Sequence, residues 1–505
     1  MSARNVLLSL VVFLGACPVL AQNGPPPEND SLRNMLQDLQ SQIRDLRASV
    51  QELRAESNRY RAETLELRHQ LVWALAVAGS PRPAGTEAAQ ASPVPSADQR
   101  LNKVEEDVQL LSGKVDEQYQ TKVESASKYR VRLSGIALFN LFENRGAVDN
   151  LDNPALAQPR TNFDTNGSFG GTLRQSIVGL EVFGPQFAGA RTSADVQADF
   201  NGGLPDTANG VTFGVVRLRT ARLRLQWTNT SIIGGQDSLF FAPLAPSSFA
   251  SLSSPSLSYA GNLWAWVPQL RVEHKMPFSD GSSLNFAAGI LDGVTGELPV
   301  SEYLRPAQAG EKAGQPAYAG RVAWSHTAFG RPLTLGAGGY YNRQNWGFQR
   351  NVDGWAVTSD LDIPLGRWFS VSSEFYRGRA IGGLGAATAR SIVFSGDLAD
   401  PATQVRGLDA IGGWAQLKFA PTAKLEFNGA FGQDNPFAAD LRTFTAAQNY
   451  INPAIARNRA ALVNMIVRPR SDLLFSVEYR RLHTFELPRT SDVAGHINIG
   501  VGVLF

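Results

Sequence analysis

From about Lys128 to Phe505 the chain alternates apolar and polar residues with period two. In "YRVRLSGIALFNLF", Tyr129, Val131, Leu133, Ala137, Phe139 and Leu141 fall on one face, with Arg130, Arg132, Ser134 and Asn140 on the other. "AGARTSADVQADF" puts Arg191, Ser193, Asp195, Gln197 and Asp199 together, and "PQLRVEHK" groups Gln269, Arg271 and Glu273. Strict alternation marks strands with unlike faces. The last stretch, "HINIGVGVLF", alternates to Phe505, with Ile497, Ile499, Val501 and Val503 on one side. An apolar strand with a free edge invites aggregation, and closure into a barrel removes the edge. The expectation is a closing strand that pairs with the first one and turns its apolar face to lipid.

About sixteen strands fit between Lys128 and Phe505, and the connections alternate short and long. Short ones include "WTNTS", "IPLGR" and "RPRSD". Long ones cover roughly 143–168, 201–212, 237–263, 292–316, 343–353, 379–407, 433–454 and 485–494. Short turns on one rim and long loops on the other are the habit of transmembrane barrels. The predicted fold class is therefore an all-β transmembrane barrel of about sixteen antiparallel strands, over 128–505. An even strand count sets both of its ends on the short-turn, periplasmic side.

Ahead of the barrel the period changes. Leu32, Leu36, Leu39, Ile43, Leu46, Val50, Leu53, Leu67 and Leu71 belong to a heptad series, interrupted in polarity by Ser57, Tyr60 and Thr64. A narrow two-in-seven stripe with charged flanks predicts a coiled coil over 30–75. Residues 76–99, rich in Ala, Pro and Ser, read as a linker. A short second coil over 100–122 follows, on Leu101, Val104, Val108, Leu111 and Val115. Residues 1–21 read as a signal peptide: Arg4, the apolar "VLLSLVVFL", and small residues before a cleavage site after Ala21. "LGAC" at 14–17 offers the rival of a lipidated Cys17, but cleavage after Ala21 is the preferred reading.

Net charge is +2, which argues against a nucleic-acid partner. From Lys128 onward there are 29 arginines against 5 lysines, a preference that suits bidentate anion contacts. Inward arginines are the candidate chemistry: Arg130, Arg132, Arg191, Arg271, and the run Arg217, Arg219, Arg222 and Arg224. The run changes parity between Arg219 and Arg222, so either a bulge keeps all four inward or some lie near an interface. Asp195, Asp199 and Glu273 are the acids placed to pair with them. The two readings are an anion-attracting wall and arginines paired structurally with these acids. Asp360 and Asp362 share a face and read as arginine partners rather than a calcium site. The five histidines show no metal spacing, no catalytic constellation stands out, and no cofactor is expected.

"SIIGGQDSLFFAPL" followed by "PQLRVEHK" resembles the segment around the third loop of trimeric outer-membrane porins, the DcaP-like and phosphate-selective groups. The resemblance implies a sixteen-stranded homotrimer whose third loop folds into the pore. Residues 237–263 would be that loop, with Asp237, Phe240 and Phe241 as constriction candidates. The loop is nearly uncharged after Asp237, so no charged constriction carries over from its side. The expected function is passive diffusion of small hydrophilic solutes, leaning to anions such as carboxylates or phosphate. The expected partners are outer-membrane lipid, further copies of the chain and the solutes. The alternative is an envelope protein whose coil tethers the outer membrane to the cell wall.

Overall fold

The computed structural model describes residues 122–123, 130–163, 165–204, 214–278, 281–297, 305–444, 454–487 and 490–505. The expected leader, the linker, the first coil and all but the last residue of the second coil lie outside these. Lys122, the end of the expected second coil, is in a strand instead: Lys122–Val123 pairs with Val131 and Arg132.

Sixteen antiparallel strands close into one barrel. They are β1 (Arg130–Arg145), β2 (Gly167–Thr172 continued by Ile177–Phe187), β3 (Ala190–Asp199), β4 (Arg217–Gln226), β5 (Thr230–Ser238) and β6 (Trp266–Pro277). There follow β7 (Ser283–Leu291), β8 (Ala317–Ala328), β9 (Arg331–Asn345), β10 (Asn351–Leu365) and β11 (Phe369–Arg379). The last are β12 (Asp409–Thr422), β13 (Leu425–Pro436), β14 (Ala454–Arg470), β15 (Leu473–Leu487) and β16 (Thr490–Leu504). Each pairs with its sequence neighbour, and β1 pairs with β16 from Ile136↔Leu504 to Arg145↔Gly495. Phe505 extends that seam: its carbonyl accepts from the Gly135 amide at 2.8 Å. Beyond the end of β16, Lys122–Val123 takes over the edge of β1.

The alternation sorts the faces as expected. Outward positions are apolar and exposed, among them Phe139, Leu180, Leu223, Leu270 and Val463. Inward positions are polar and yet buried, among them Asn140, Gln269, Asn428, Asn464 and Asn498. A polar interior inside an apolar shell is the inverse of a soluble sandwich and suits strands that face lipid.

Two connections shrink to a few residues where the sequence pattern suggests long ones. β9 and β10 are joined by 346–350 rather than 343–353, and β15 runs to Leu487 with β16 starting at Thr490, not 485–494. The ladder continues there through residues of mixed polarity, such as Gln344, Asn345, Val352, Phe485, Ser491 and Val493, and the clean alternation is lost. The other long connections lie on one rim. Connection 380–408 carries a small hairpin, Ile392–Phe394 with Val405–Gly407, and binds the neighbouring loop through Ser391 Oγ to the Thr295 carbonyl at 2.9 Å. The largest apolar cluster lies inside the barrel, where Leu239, Phe240 and Phe241 meet Tyr340, Tyr376, Leu384 and Val393.

Candidate functional site: an internal loop and a charged wall

The connection between β5 and β6 occupies 239–265, and it turns inward. Its composition explains why it can. It offers Ala, Pro, Ser and Phe but no charge, so burying it strands no ion, only backbone groups that need partners.

Those partners come from strand after strand, in order around the wall. Phe241 stacks on Tyr340 of β9, with ring centroids 5.2 Å apart, and its carbonyl accepts from Thr358 Oγ1 of β10 at 2.6 Å. The Leu244 amide donates to Glu374 of β11 at 2.8 Å, and the Ser247 amide to Gln416 of β12 at 2.7 Å. Asn464 of β14 donates to the Ser247 carbonyl at 2.8 Å, and the Ser248 hydroxyl donates to Glu478 of β15. Asn140 of β1 donates to the Phe249 carbonyl at 3.0 Å. Gln175 sits where β2 is interrupted; it donates to the Ala250 carbonyl and accepts from the Leu252 amide. Arg219 and Arg217 of β4 donate to the carbonyls of Leu252 and Ser253. The loop then returns across Asn458, which donates to the Tyr259 carbonyl at 2.8 Å.

The arginine run on β4 does contain a bulge. Asp199 pairs with Arg217 and Ala198 with Leu218, then the register shifts so that Gln197 pairs with Thr220 and Asp195 with Arg222. Arg219 is the extra residue. The shift keeps Arg217, Arg219, Arg222 and Arg224 on the inner face.

Most of the inner charges are paired. Arg217 and Arg219 share Asp199, at 2.7 and 3.2 Å. Arg222 meets Asp195 at 2.8 Å and Asp237 at 3.2 Å. Arg271 meets Asp237 at 2.8 Å and Glu273 at 2.7 Å. Arg132 pairs with Glu181, and Arg130 and Arg132 both lie over the Phe183 ring. Arg130, Arg191 and Arg224 have no acidic partner among the described residues. All three lie toward the short-turn rim.

Two of the three expected constriction residues sit differently. Asp237 is in β5, not in the loop, because the ladder with β6 continues through Asp237↔Val267. Phe241 is wholly buried and anchors the loop rather than facing open space. Phe240 lies with its ring under Arg271, at 5.7 Å. Residues that the alternation did not single out are the loop's anchors (Thr358, Glu374, Gln416, Asn464 and Glu478) and Arg321, which binds Asp360 with Nε–Oδ1 at 2.8 Å. A cavity of about 430 Å³ lies between loop and wall, lined by Arg222, Phe240, Pro243, Arg271, Glu273 and Arg321. A second, of about 360 Å³, is lined by Pro246, Phe249, Leu252, Lys418, Glu426 and Arg468.

This is the fold of the porin-type barrels. The chain superposes on the outer membrane channel DcaP of Acinetobacter baumannii with a TM-score of 0.58 and 15% identity, over 76% of this chain and 100% of that one. The anion-selective porin from Comamonas acidovorans aligns with a TM-score of 0.45 and 11% identity, over 75% of this chain and 100% of that one. No family model and no curated protein matches the sequence. The likeness is one of fold.

Proposed function

We propose that this chain is an outer-membrane porin for passive diffusion of small hydrophilic solutes. The observation that carries the reading is the uncharged loop 239–265, held inside a polar-lined barrel by anchors on successive strands. A channel needs a wet lumen, a narrow waist and a field at that waist. The loop narrows the lumen, and Asp195, Arg222 and Glu273 supply charge on the wall beside it, with Arg271 held behind Phe240. Arg217, Arg219 and Asp199 serve the loop's docking. Asp237 balances Arg222 and Arg271 from β5, and Phe240 forms the loop's edge toward the cavity.

The leaning is to anions such as carboxylates or phosphate. Its support is the trio Arg130, Arg191 and Arg224, which have no acidic partner among the described residues and set a positive mouth on the short-turn side. The arginines nearer the loop are neutralised by their acids and add little net field. In this reading the apolar belt meets lipid, the functional unit is a homotrimer, and the preceding coils lie in the periplasm.

The test is the reversal potential of the purified protein in a planar bilayer under a salt gradient. Anion selectivity that falls in an Arg191→Gln, Arg224→Gln double variant supports the reading. A wild-type channel without anion preference refutes the selectivity. Folded protein without conductance refutes the channel and favours the tether.

A further inference from the structure

Along the long-loop end of the barrel, outward-facing charges are balanced almost everywhere. Arg145 binds Glu143, and Arg377 binds Asp409 at 2.8 Å. Arg343 faces Asp353 across the β9–β10 ladder. β14 and β15 break this rule. Arg457, Arg459, Arg481 and His483 face outward together: Arg457 opposes Phe485, Arg459 opposes His483, and Arg481 opposes Ala461. His483 lies within electrostatic reach of all three arginines and of one acid, Asp492 on β16. None of the three has an acidic partner among the described residues.

The patch is ordered. Arg457 lies over the Phe485 ring at 4.1 Å and Arg459 at 5.3 Å, while Arg459 Nε donates to Gln433 at 2.7 Å. Stacking and a single amide contact fix the guanidinium planes and leave other N–H groups available. One rung toward the barrel's middle, the apolar face opens into a groove of about 580 Å³. Arg481 stands at its upper edge, and Leu417, Gly429, Phe431, Ala461, Val463 and Tyr479 line it. Gly429 and Ala461 make the depression, and Phe431 and Tyr479 wall it.

We propose that this patch and groove form a binding site for a phosphate-bearing lipid of the leaflet on the long-loop side. The guanidiniums would clasp phosphate, and an acyl chain would lie in the groove. Charge complementarity selects the head group, because planar forked donors match phosphate bidentately. Continuity of the basic patch with an apolar channel selects a lipid over free phosphate. The inference rests on the proposal that the apolar belt meets a membrane.

The test uses the purified full-length protein in phosphatidylcholine nanodiscs, read by native mass spectrometry. The probe is a diphosphorylated, polyacylated glucosamine disaccharide, compared with its dephosphorylated form and with inorganic phosphate. Wild type should prefer the phosphorylated lipid over the dephosphorylated one. An Arg457→Gln, Arg459→Gln, Arg481→Gln variant should bind it at least about tenfold more weakly. Val463→Trp fills the groove without touching a charge and should also weaken it, which keeps the test open should the triple variant fold poorly. Equal binding of the dephosphorylated lipid, or an unaffected triple variant, overturns the proposal. So does occupancy by inorganic phosphate with equal affinity. Loss of oligomers in the triple variant would assign the patch to a subunit contact and overturn it too. Conductance of the same preparation tests the channel reading separately.

Discussion

Asp237 Oδ2 lies 2.8 Å from Arg271 Nη1, and the two side chains are 3% and 7% exposed. The same carboxylate reaches Arg222 at 3.2 Å, so one acid holds two guanidiniums from neighbouring strands. Asp237→Asn would leave Arg222 with Asp195 alone and Arg271 with Glu273 alone. Because each arginine keeps one acid, the loss is that of charge-assisted hydrogen bonds, about 2 kcal/mol. Urea unfolding should show a loss of that order, and the reversal potential should shift toward anions.

The loop's docking can be read amide by amide. Gln416→Ala removes the acceptor for the Ser247 amide. One such bond contributes about 1 kcal/mol. Hydrogen exchange at Ser247 should therefore speed up by about fivefold in the folded protein, while barrel amides far from the loop stay protected.

Gly261 holds the returning limb of the loop at φ +96°, with the Gly413 carbonyl where a Cβ would meet it at 2.2 Å and the Gln433 carbonyl at 2.6 Å. Gly261→Val has neither the conformation nor the room, and the backbone term alone costs about 1–2 kcal/mol. The limb should lift from the wall. Single-channel recordings are expected to show a larger, noisier conductance with the barrel still folded.

A pH response is expected from the loop after β7. Burial first, then the charge of Glu311, raise the Asp292 carboxyl above the ordinary aspartate range, against Arg305 at 3.2 Å. The folded chain thus keeps this proton to higher pH than the unfolded chain. The group favours folding most when protonated, and that contribution falls as pH rises through its folded pKa. Asp292→Asn should flatten the slope and raise the melting temperature above that pH, which a series of thermal melts across the acidic range would show.

The barrel was legible because inside and outside demand opposite chemistry at every second residue. The parity change between Arg219 and Arg222 allowed either a bulge or arginines near an interface, and only the register shift chose the bulge. The strand ends were less legible: near 343–353 and 485–494 polar and apolar residues mix on both faces and alternation carries little signal. Least legible were the loop's anchors. Thr358, Gln416 and Asn464 look like any inward polar residue, because what distinguishes them is the strand position at which the loop passes. The available clue was the loop itself, whose missing charges left its backbone groups to be satisfied by the wall. Asp237 shows the converse limit, since sequence marked it as important but put it in the loop.

The loop leaves the wall at β5 and rejoins it at β6, and between these points it is fastened to β9, β10, β11, β12, β14, β15, β1, β2 and β4. Mechanically it is a hoop braced inside a flexible cylinder. Squeezing the cylinder toward an oval would change the spacing of fastenings on opposite sides and break some of them. The wall and its inner brace should therefore resist lateral pressure together and fail together. A barrel deprived of the brace would be wider and also softer.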